Sequence, residues 1–480
     1  MFLLETYSCY KMFRYTIILW SLITVFRILN HIPWFDEAHA WTIAQELNLV
    51  QIFDLMKVEG HTFIWYLLLM PFAKLHLWYP YSMQFLNWIF CFSALIILWK
   101  KAPFNNFIKV LIIFSYPFLF LYSVYARCYS IGIMLLFLLT AMFENKLKHP
   151  VLYSIILVLC ANTSLMAMIG ATAFGILFLY DFIKSKPYKK ELFISLLVLL
   201  IGVILVLIQI VGVDDSAISD YKGIDFELNS IIAFCFLGIL LGISCILPML
   251  LNIKNCIKSL FFILFTSGFM TYCFLFRYYG HYWNHCFYLI YLIISIWLNF
   301  DCYKNFKFNS VLKIFSISVF SFIIFLNWFI PYLIKSSPIL KIITYGKDLK
   351  LAKIILNDSA LKNKYLVFSN NFFAAYILYP YNKYKLVDYC TGENFGYKIV
   401  NQNKVSKILY VKNCYLDFYI KDEKDLEQLF YITSSNEVYS NVPIDKNILN
   451  TLNSKYSINV YNCVDMVNKN YCFYKFIKYQ

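Results

Sequence analysis

The residues PWFDEAHAWTIAQELNLVQIFDLMKVEGHTFIWY, numbers 33 to 66, directly follow the first hydrophobic segment of the chain. In a chain with few charges, this stretch concentrates acidic and imidazole side chains: Asp36, Glu37, His39, Glu46, Asp54, Glu59 and His61. Ionisable groups at the border of a membrane are costly to place there, so they indicate a functional site by default. A structural interpretation stands beside it, because Asp36 could cap a helix that begins near Ala38, with Glu37 in its first turn.

The composition predicts a polytopic membrane protein. The 480 residues are 61% hydrophobic and only 14% charged, whereas soluble domains are nearer one quarter charged. Apolar runs recur from Tyr15 to Ile334, many of them near the length that crosses a bilayer, and such spans must be α-helical to satisfy their backbone groups. The net charge of +15 does not indicate nucleic-acid binding, because most basic residues before Lys335 lie in short loops.

The placement of lysine predicts about eleven transmembrane helices and a cytoplasmic N-terminus. Lys11 and Arg14 precede the first span, and later loops carry lysine alternately, with Lys57, Lys74 and Lys222 as exceptions. The predicted spans are Tyr15–Ile32, Gln84–Trp99, Phe107–Tyr122, Tyr129–Phe143, Val151–Ala161, Leu165–Ile183, Leu192–Val211, Ile231–Leu251, Leu260–Phe276, Cys286–Phe300 and Phe315–Ile334. Residues 33–80 form the first outer loop, where we expect a surface helix at Trp41–Met56 and a re-entrant or interfacial helix at Phe63–Trp78.

The transmembrane domain therefore covers residues 1–334, and residues 335–480 are predicted to form a small extracytoplasmic α/β or α+β domain. Its strand-like runs are Tyr365–Ser369, Ile408–Val411, Leu429–Thr433, Ser457–Asn462 and Tyr471–Ile477, and its helix-like runs are Asp348–Leu356 and Ile444–Leu452. Four cysteines of this region, Cys390, Cys414, Cys463 and Cys472, could form disulfides outside the cytoplasm. The sequence leaves their pairing open.

The predicted topology gathers four clusters on the outer face: Asp36 with Glu37, Glu59 with His61, Arg127 with Tyr129, and Arg277 with His281 and His285. Carboxylates can act as a general base or as metal ligands, and arginine can bind a phosphate through paired hydrogen bonds. A membrane enzyme that uses a lipid phosphate needs both kinds of group at one interface.

Structural interpretations also exist for the basic clusters. Arg127 and Arg277 could simply extend to the membrane interface. His281 and His285 are four residues apart and could share a helix face that binds zinc, but no HExxH motif and no evident third ligand accompany them. The neighbouring aromatic residues favour an interfacial belt instead.

Taken in order, the motifs resemble those of the polytopic GT-C class glycosyltransferases, near the protein O-mannosyltransferases and the lipid A aminoarabinose transferases (glycosyltransferase family 39-like). The likeness consists of Asp36-Glu37 in WFDEAHAW, of Glu59, His61 and Tyr66 in EGHTFIWYLLL, and of the Ala-Arg-x-Tyr element at Arg127 and Tyr129. It covers Tyr15 to Ile183 and is mainly topological beyond. Thr62 and Phe63 depart from it, because the family has two prolines there.

This resemblance implies a transferase that moves a sugar from a polyprenyl-phosphate donor to a lipid, glycan or protein acceptor, with its site at the outer face of a cell membrane, the bacterial inner membrane in particular. Asp36 would be the catalytic base, and Glu37 would orient the acceptor or a metal. Arg127 and Arg277 would hold the lipid phosphate. The remaining matched positions, Glu59, His61, Tyr66, Tyr129, His281 and His285, would bind substrate.

Several points stay open at the level of sequence. A divalent metal ion could be the cofactor, with Asp36, Glu37 and His39 as its ligands. The alternative function is a transporter or flippase of a lipid-linked or anionic solute, which would use the same arginines without chemistry. A third possibility, a membrane anchor for the C-terminal domain, leaves the acidic loop unexplained.

Overall fold

The computed structural model describes residues 2–59, 61–185, 189–210, 253–276 and 282–300, and shorter segments further along: 352–353, 355–357, 359, 365–368, 377–383, 385–388, 429–434, 456–466 and 469–478. The described part before residue 300 is helical. Two predicted spans, Ile231–Leu251 and Phe315–Ile334, lie outside the described residues. So do the predicted strand Ile408–Val411 and the predicted helix Ile444–Leu452.

Twelve helices of eight or more residues occur in these segments. They are α1 (Phe2–Leu29), α2 (Phe35–Glu46), α3 (Leu49–Glu59), α4 (Ile64–Lys74), α5 (Tyr81–Lys101), α6 (Asn106–Ile113), α7 (Tyr129–Met142), α8 (Pro150–Ala161), α9 (Leu165–Ser185), α10 (Lys189–Ile210), α11 (Ile253–Phe276) and α12 (Phe287–Leu298). A short helical turn, Tyr282–His285, precedes α12.

Five of these helices are long and apolar enough to cross a membrane. The candidate spans are Lys11–Leu29, Tyr81–Lys101, Leu165–Ser185, Lys190–Gln209 and Cys256–Phe276, and each coincides with a predicted span. Helix α10 shows why a lipid environment suits this chain, because it exposes Phe193, Leu196, Leu197, Leu200, Ile201, Val203, Ile204, Leu207 and Ile208. A continuous apolar face of this kind belongs against hydrocarbon rather than water.

Two predicted helices are interrupted. The predicted span Phe107–Tyr122 divides into α6 and a π-helical turn, Pro117–Leu121, because Pro117 has no N–H to continue the ladder of hydrogen bonds. The predicted surface helix Trp41–Met56 divides into α2 and α3 around Asn48. The Asn48 side chain accepts the Gln51 N–H at 3.0 Å, and the Gln51 side chain accepts the Asn48 N–H at 2.9 Å, which starts a new helix.

Helix α2 also does not lie on the surface as predicted. All residues from Glu37 to Ala44 are buried, so no face of its central turns is left to solvent. The pattern of polar and apolar residues in Trp41–Met56 mixed two helices with different environments, which is why it resembled one amphipathic helix.

Helices α7 and α9 approach closely through small residues. A Cβ atom on Gly132 would lie 2.7 Å from the Ala167 Cβ, and one on Gly170 would lie 2.7 Å from the Leu136 Cδ2. Such close helix contacts are typical of membrane proteins, where association depends on packing rather than on the hydrophobic effect.

A cluster of three charges connects α9 with α11 and with the residues after α7. The Asp181 carboxylate lies 2.8 Å from the Lys146 ammonium and 2.7 Å from the Lys258 ammonium. Lys146 also lies 3.7 Å from the centroid of the Phe143 ring. Lys258 was predicted to lie in the loop before a span that begins at Leu260. In the structure the helix α11 begins at Ile253, so Lys258 lies within it and pairs with Asp181.

Five strands near the C-terminus form one mixed sheet in the order β2-β1-β3-β5-β4. They are β1 (Tyr365–Phe368), β2 (Lys385–Asp388), β3 (Leu429–Ser434), β4 (Tyr456–Met466) and β5 (Lys469–Lys478). Strand β1 is parallel to β2 and β3, whereas β5 is antiparallel to β3 and β4. Four of the five predicted strand-like runs coincide with strands, and β2 was not predicted.

The chain divides into two compact units that do not follow the linear order of the sequence. The first unit contains residues 1–31, 48–69 and 81–340, and the second contains residues 32–47, 70–80 and 341–480. Helix α2 and the loop before α5 therefore belong to the same unit as the C-terminal sheet. The predicted boundary at residue 335 falls near one of the divisions, but the sequence did not predict that part of the first loop joins the C-terminal region.

Candidate functional site

Two of the sequence motifs meet in the first unit. The His61 imidazole, just before α4, lies edge-on to the Tyr129 ring at the start of α7, with centroids 5.7 Å apart. The Tyr66 hydroxyl lies 3.5 Å from a Glu59 carboxylate oxygen. These contacts form two pairs of predicted substrate-binding residues: His61 with Tyr129, and Glu59 with Tyr66.

The segment that carries His61 is held by the Gln209 side chain and by the Asn162 main chain, and the sequence patterns indicated neither residue. The Gln209 side chain, at the end of α10, accepts the Phe63 N–H at 3.0 Å and donates to the Asn162 side chain at 2.9 Å. The main-chain carbonyl of Asn162 accepts the Ile64 N–H at 3.3 Å. Both amides are buried. Phe63, which stands where the resembled family has a proline, therefore has an acceptor for the N–H that proline lacks.

The segment around Arg127 is anchored through Tyr122. The Tyr122 carbonyl accepts hydrogen bonds from Asn87, at 2.9 Å, and from Ser130, at 2.6 Å. Its hydroxyl donates to the Trp283 carbonyl at 2.7 Å. The Arg127 N–H donates to the Tyr125 carbonyl at 2.9 Å, and the Arg127 residue is buried. A buried arginine just before a helix does not fit the interpretation in which it merely extends to the interface.

In the second unit, the predicted catalytic pair lies in the first turn of α2. The capping interpretation of Asp36 is wrong, because the helix begins at Phe35 and Trp34 occupies the cap position. Glu37 has the capping part instead: it is fully buried, and its carboxylate accepts the Trp34 N–H at 3.0 Å.

The opposite end of α2 is closed by Lys74. Its ammonium donates to the Leu47 carbonyl at 2.9 Å and lies 3.4 Å from the Gln45 carbonyl. A cation at a helix C-terminus is favourable. This contact explains why Lys74 departs from the loop pattern of the other lysines, and Lys57 has a local partner in Asp54 at 3.5 Å.

Aromatic residues connect α2 to residues 377–383. The Tyr79 ring lies between the Trp41 ring, at 5.0 Å, and the Tyr381 ring, at 4.9 Å. The burial of the Tyr79 hydroxyl, together with Tyr381 and the Glu37 charge, raises the pKa of Tyr79 above its ordinary value. Burial and a hydrogen bond to Glu46 likewise raise the pKa of Tyr379.

The late cluster is described only in part. Arg277 and His281 lie outside the described residues. The His285 imidazole packs on the Phe274 ring at 4.4 Å and lies nearly parallel to the Tyr288 ring at 6.5 Å. This aromatic environment agrees with the belt interpretation for His285.

No metal site is found in the described segments, where no group of three His, Cys, Asp or Glu side chains could hold an ion. Of the residues suggested as ligands, Glu37 accepts the Trp34 N–H, and the His39 ring stacks on Phe35 with centroids 5.6 Å apart. A metal role for Asp36, Glu37 and His39 stays a prediction.

The structure indicates a membrane protein of the polytopic helical class. It has helices that can cross a membrane, and polar side chains are buried at the ends of its helices. No protein-family model matches the chain, and neither a curated protein nor a solved structure is detectably similar to it. The resemblance to the GT-C class therefore depends on the quoted motifs alone.

Proposed function

We propose that the protein is a membrane glycosyltransferase that moves a sugar from a polyprenyl-phosphate donor to an acceptor at the outer face of the membrane. The observation that supports this most directly is the contact between His61 and Tyr129. It joins two motif elements that are far apart in the sequence, as expected if both contribute to one substrate site.

In the proposed reaction, the Asp36 carboxylate takes the proton of an acceptor hydroxyl or amine. The freed electron pair forms a bond to the anomeric carbon of the sugar, the bond from that carbon to the phosphate oxygen breaks, and polyprenyl phosphate leaves with the electron pair. Arg127 and Arg277 stabilise the negative charge that develops on the phosphate. Arg127 also precedes the N-terminus of α7, where the helix dipole favours an anion.

The segments that make up the second unit support an outer location of the site. Residues 32–47 and 341–480 belong to one compact unit, which is expected if both lie on one side of a bilayer. If Lys11 and Arg14 keep the N-terminus inside, α1 delivers residues 32–47 to the outside, and the C-terminal region follows. An even number of spans must then separate the two segments, and the sequence predicts ten spans after α1. A reporter that is active only in the cytoplasm should stay silent after Gln480.

The function can be tested with the full-length protein in liposomes. Polyprenyl-phosphate mannose, glucose or 4-amino-4-deoxyarabinose would be supplied as the donor, and release of free polyprenyl phosphate would be measured with and without added lipid A or peptide acceptors. Release that depends on protein and acceptor supports the transferase. Movement of an intact lipid-linked sugar between leaflets without cleavage would indicate the alternative, a flippase.

A further inference from the structure

Within the second unit, the C-terminal region makes three contacts with α2, the helix that carries Asp36, and with the loop before α5. Tyr381 packs on Tyr79, which packs on Trp41 of α2. The Tyr379 hydroxyl hydrogen-bonds the Glu46 carboxylate in the last turn of the same helix. Asn382 lies 3.3 Å from the His76 ring nitrogen in the loop before α5.

These contacts come from one short segment, the 3-10 turn Tyr379–Tyr381 and the residue that ends it, Asn382. Ile377, Leu378 and Pro380 are buried, and Asn382 has a positive φ of 52° that turns the chain after Tyr381. Asparagine tolerates this conformation better than most residues, so the turn is matched to its sequence. The segment thus presents Tyr379, Tyr381 and Asn382 to α2 and to the loop before α5 together.

We propose that residues 377–382 form a clamp that positions α2, and with it Asp36, so that the C-terminal region is a working part of the transferase rather than an appended domain. Tyr381 and Tyr379 are positioning residues in this proposal, which rests on the proposed function. The first acts through its ring and the second through its hydroxyl. A base must be held within a fraction of an ångström of its productive place, because small displacements cost large factors in rate.

Substitutions can distinguish the contribution of the Tyr381 ring from that of the Tyr379 hydroxyl. Tyr381→Ala removes a ring contact, whereas Tyr381→Phe keeps it. Tyr379→Phe keeps the ring but loses the hydrogen bond to Glu46. Tyr180→Ala serves as the matched control, because Tyr180 is 60% exposed in α9 and belongs to the first unit.

The first experiment is hydrogen exchange of the α2 amides in the full-length protein in detergent micelles, with no ligand. We expect exchange about tenfold faster in Tyr381→Ala, a smaller increase in Tyr379→Phe, and no change in Tyr381→Phe or Tyr180→Ala. Transfer from the polyprenyl-phosphate sugars should then fall by about tenfold or more in kcat in Tyr381→Ala, with KM for the donor nearly unchanged and with rescue by Tyr381→Phe.

Unchanged α2 exchange in Tyr381→Ala would overturn the clamp. Faster exchange with undiminished kcat would overturn its positioning role. Faster exchange together with no transfer by the unsubstituted protein, on any of the donors, would leave the clamp in place and refute the transferase.

An independent observation concerns two of the four C-terminal cysteines. In the register of the β4–β5 hairpin, Cys463 stands directly opposite Cys472, beyond the bulge between Val460 and Asn462. Opposite residues of an antiparallel pair have Cα atoms about 4.5 to 5.5 Å apart, within the range of about 4.4 to 6.8 Å that a disulfide requires.

From this register we infer that Cys463 and Cys472 form a disulfide across the hairpin. The two thiols lose two protons and two electrons as the S–S bond forms. The electrons pass by thiol–disulfide exchange to the disulfide of an envelope dithiol oxidase, which is reduced to two thiols. This inference rests on the outer location of the C-terminal region, because a disulfide does not persist in a reducing cytoplasm.

The test is mass spectrometry of protein whose free thiols are alkylated in acid-quenched cells and which is digested without reduction. We expect a peptide that links Cys463 to Cys472, retained in a Cys390→Ser/Cys414→Ser variant and absent in Cys463→Ser, where Cys472 becomes alkylated. Alkylation of both thiols in the unsubstituted protein, or a link from either to another cysteine, would overturn the inference. The link between Cys463 and Cys472 could also be absent in cells and form only when purified protein is treated with oxidised glutathione. That result would support the register but would refute both the native disulfide and the outer location of the C-terminal region.

Discussion

The His61 imidazole meets the Tyr129 ring edge-on, with the ring planes at 84° and the centroids 5.7 Å apart. One residue belongs to the loop between α3 and α4, and the other begins α7. Their contact places the motif of the first outer loop beside the Ala-Arg-x-Tyr element that contains Arg127. This relationship makes it reasonable to test the two motifs as parts of one function.

Asp36→Asn tests the proposed base. Because Asp36 is in the first turn of α2 and is not its cap, this substitution should leave the fold and the protein level intact. Transfer should fall by about two to four orders of magnitude, the usual scale for a lost general base. The measurement is sugar transfer per amount of membrane-inserted protein. Normal transfer by Asp36→Asn would refute the catalytic assignment.

Glu37 is expected to contribute to stability through the Trp34 N–H. Glu37→Ala removes the acceptor and should lower the free energy of unfolding by about 1 kcal/mol, whereas Glu37→Gln keeps an acceptor oxygen and should be nearly neutral. Thermal unfolding in detergent distinguishes the two variants. A transfer defect in Glu37→Gln at unchanged stability would add a direct role toward the acceptor, and equal stabilities of both variants would contradict the capping role.

Arg127 is expected to bind the phosphate of the donor. Arg127→Ala should lower kcat/KM for the lipid-linked donor, and Arg127→Lys should restore only part of it, because lysine lacks the planar fork that makes two parallel hydrogen bonds. Donor dependence of the initial rate measures the effect. Full activity of Arg127→Ala would remove this residue from the site.

Gln209 is expected to stabilise the start of α4. Gln209→Met leaves the Phe63 N–H without its acceptor and should lower the free energy of unfolding by about 1 to 3 kcal/mol. Ser195→Ala is the control on the same helix, since no partner for the buried Ser195 hydroxyl is found among the described residues, and it should be neutral or slightly stabilising. Equal melting temperatures for the two variants would argue against the role of Gln209.

Substitutions of Asp181 and of Lys258, which pair with each other, are expected to lower the free energy of unfolding by unequal amounts. Asp181→Ala leaves two lysines without their shared carboxylate and should cost about 3 kcal/mol, because Asp181 and Lys146 are mostly buried. Lys258→Ala removes a more exposed partner, with 42% of the side chain accessible, and should cost less than about 1 kcal/mol. Comparable losses in both variants would show that burial does not set the strength of these ion pairs.

The sequence was informative wherever a property is local. Helices α1, α5, α9, α10 and α11 overlap their predicted spans, because the length of an apolar run and the charges at its ends are read within one segment. Four strands near the C-terminus were located for the same reason, since a short run of β-branched and aromatic residues is itself a local signal.

The local patterns failed where a partner was distant in the sequence. The run Trp41–Met56 did not reveal that α2 is buried, and the acidic pair did not reveal that Glu37 rather than Asp36 closes the start of the helix. A lone Gln209 at the end of an apolar helix and an Asn162 between two helices were the signals available for the support of α4, and neither names its partner.

By itself, the sequence determined that this chain has several membrane-crossing helices, and it determined which acidic, aromatic and basic residues stand at their ends. Only the tertiary structure decided that His61 meets Tyr129, that Gln209 holds Phe63, and that Tyr381 reaches Tyr79. The physical reason is that a span depends on the hydrophobicity of its own residues, whereas a contact depends on which helices become neighbours. That choice is made by the packing of the whole chain.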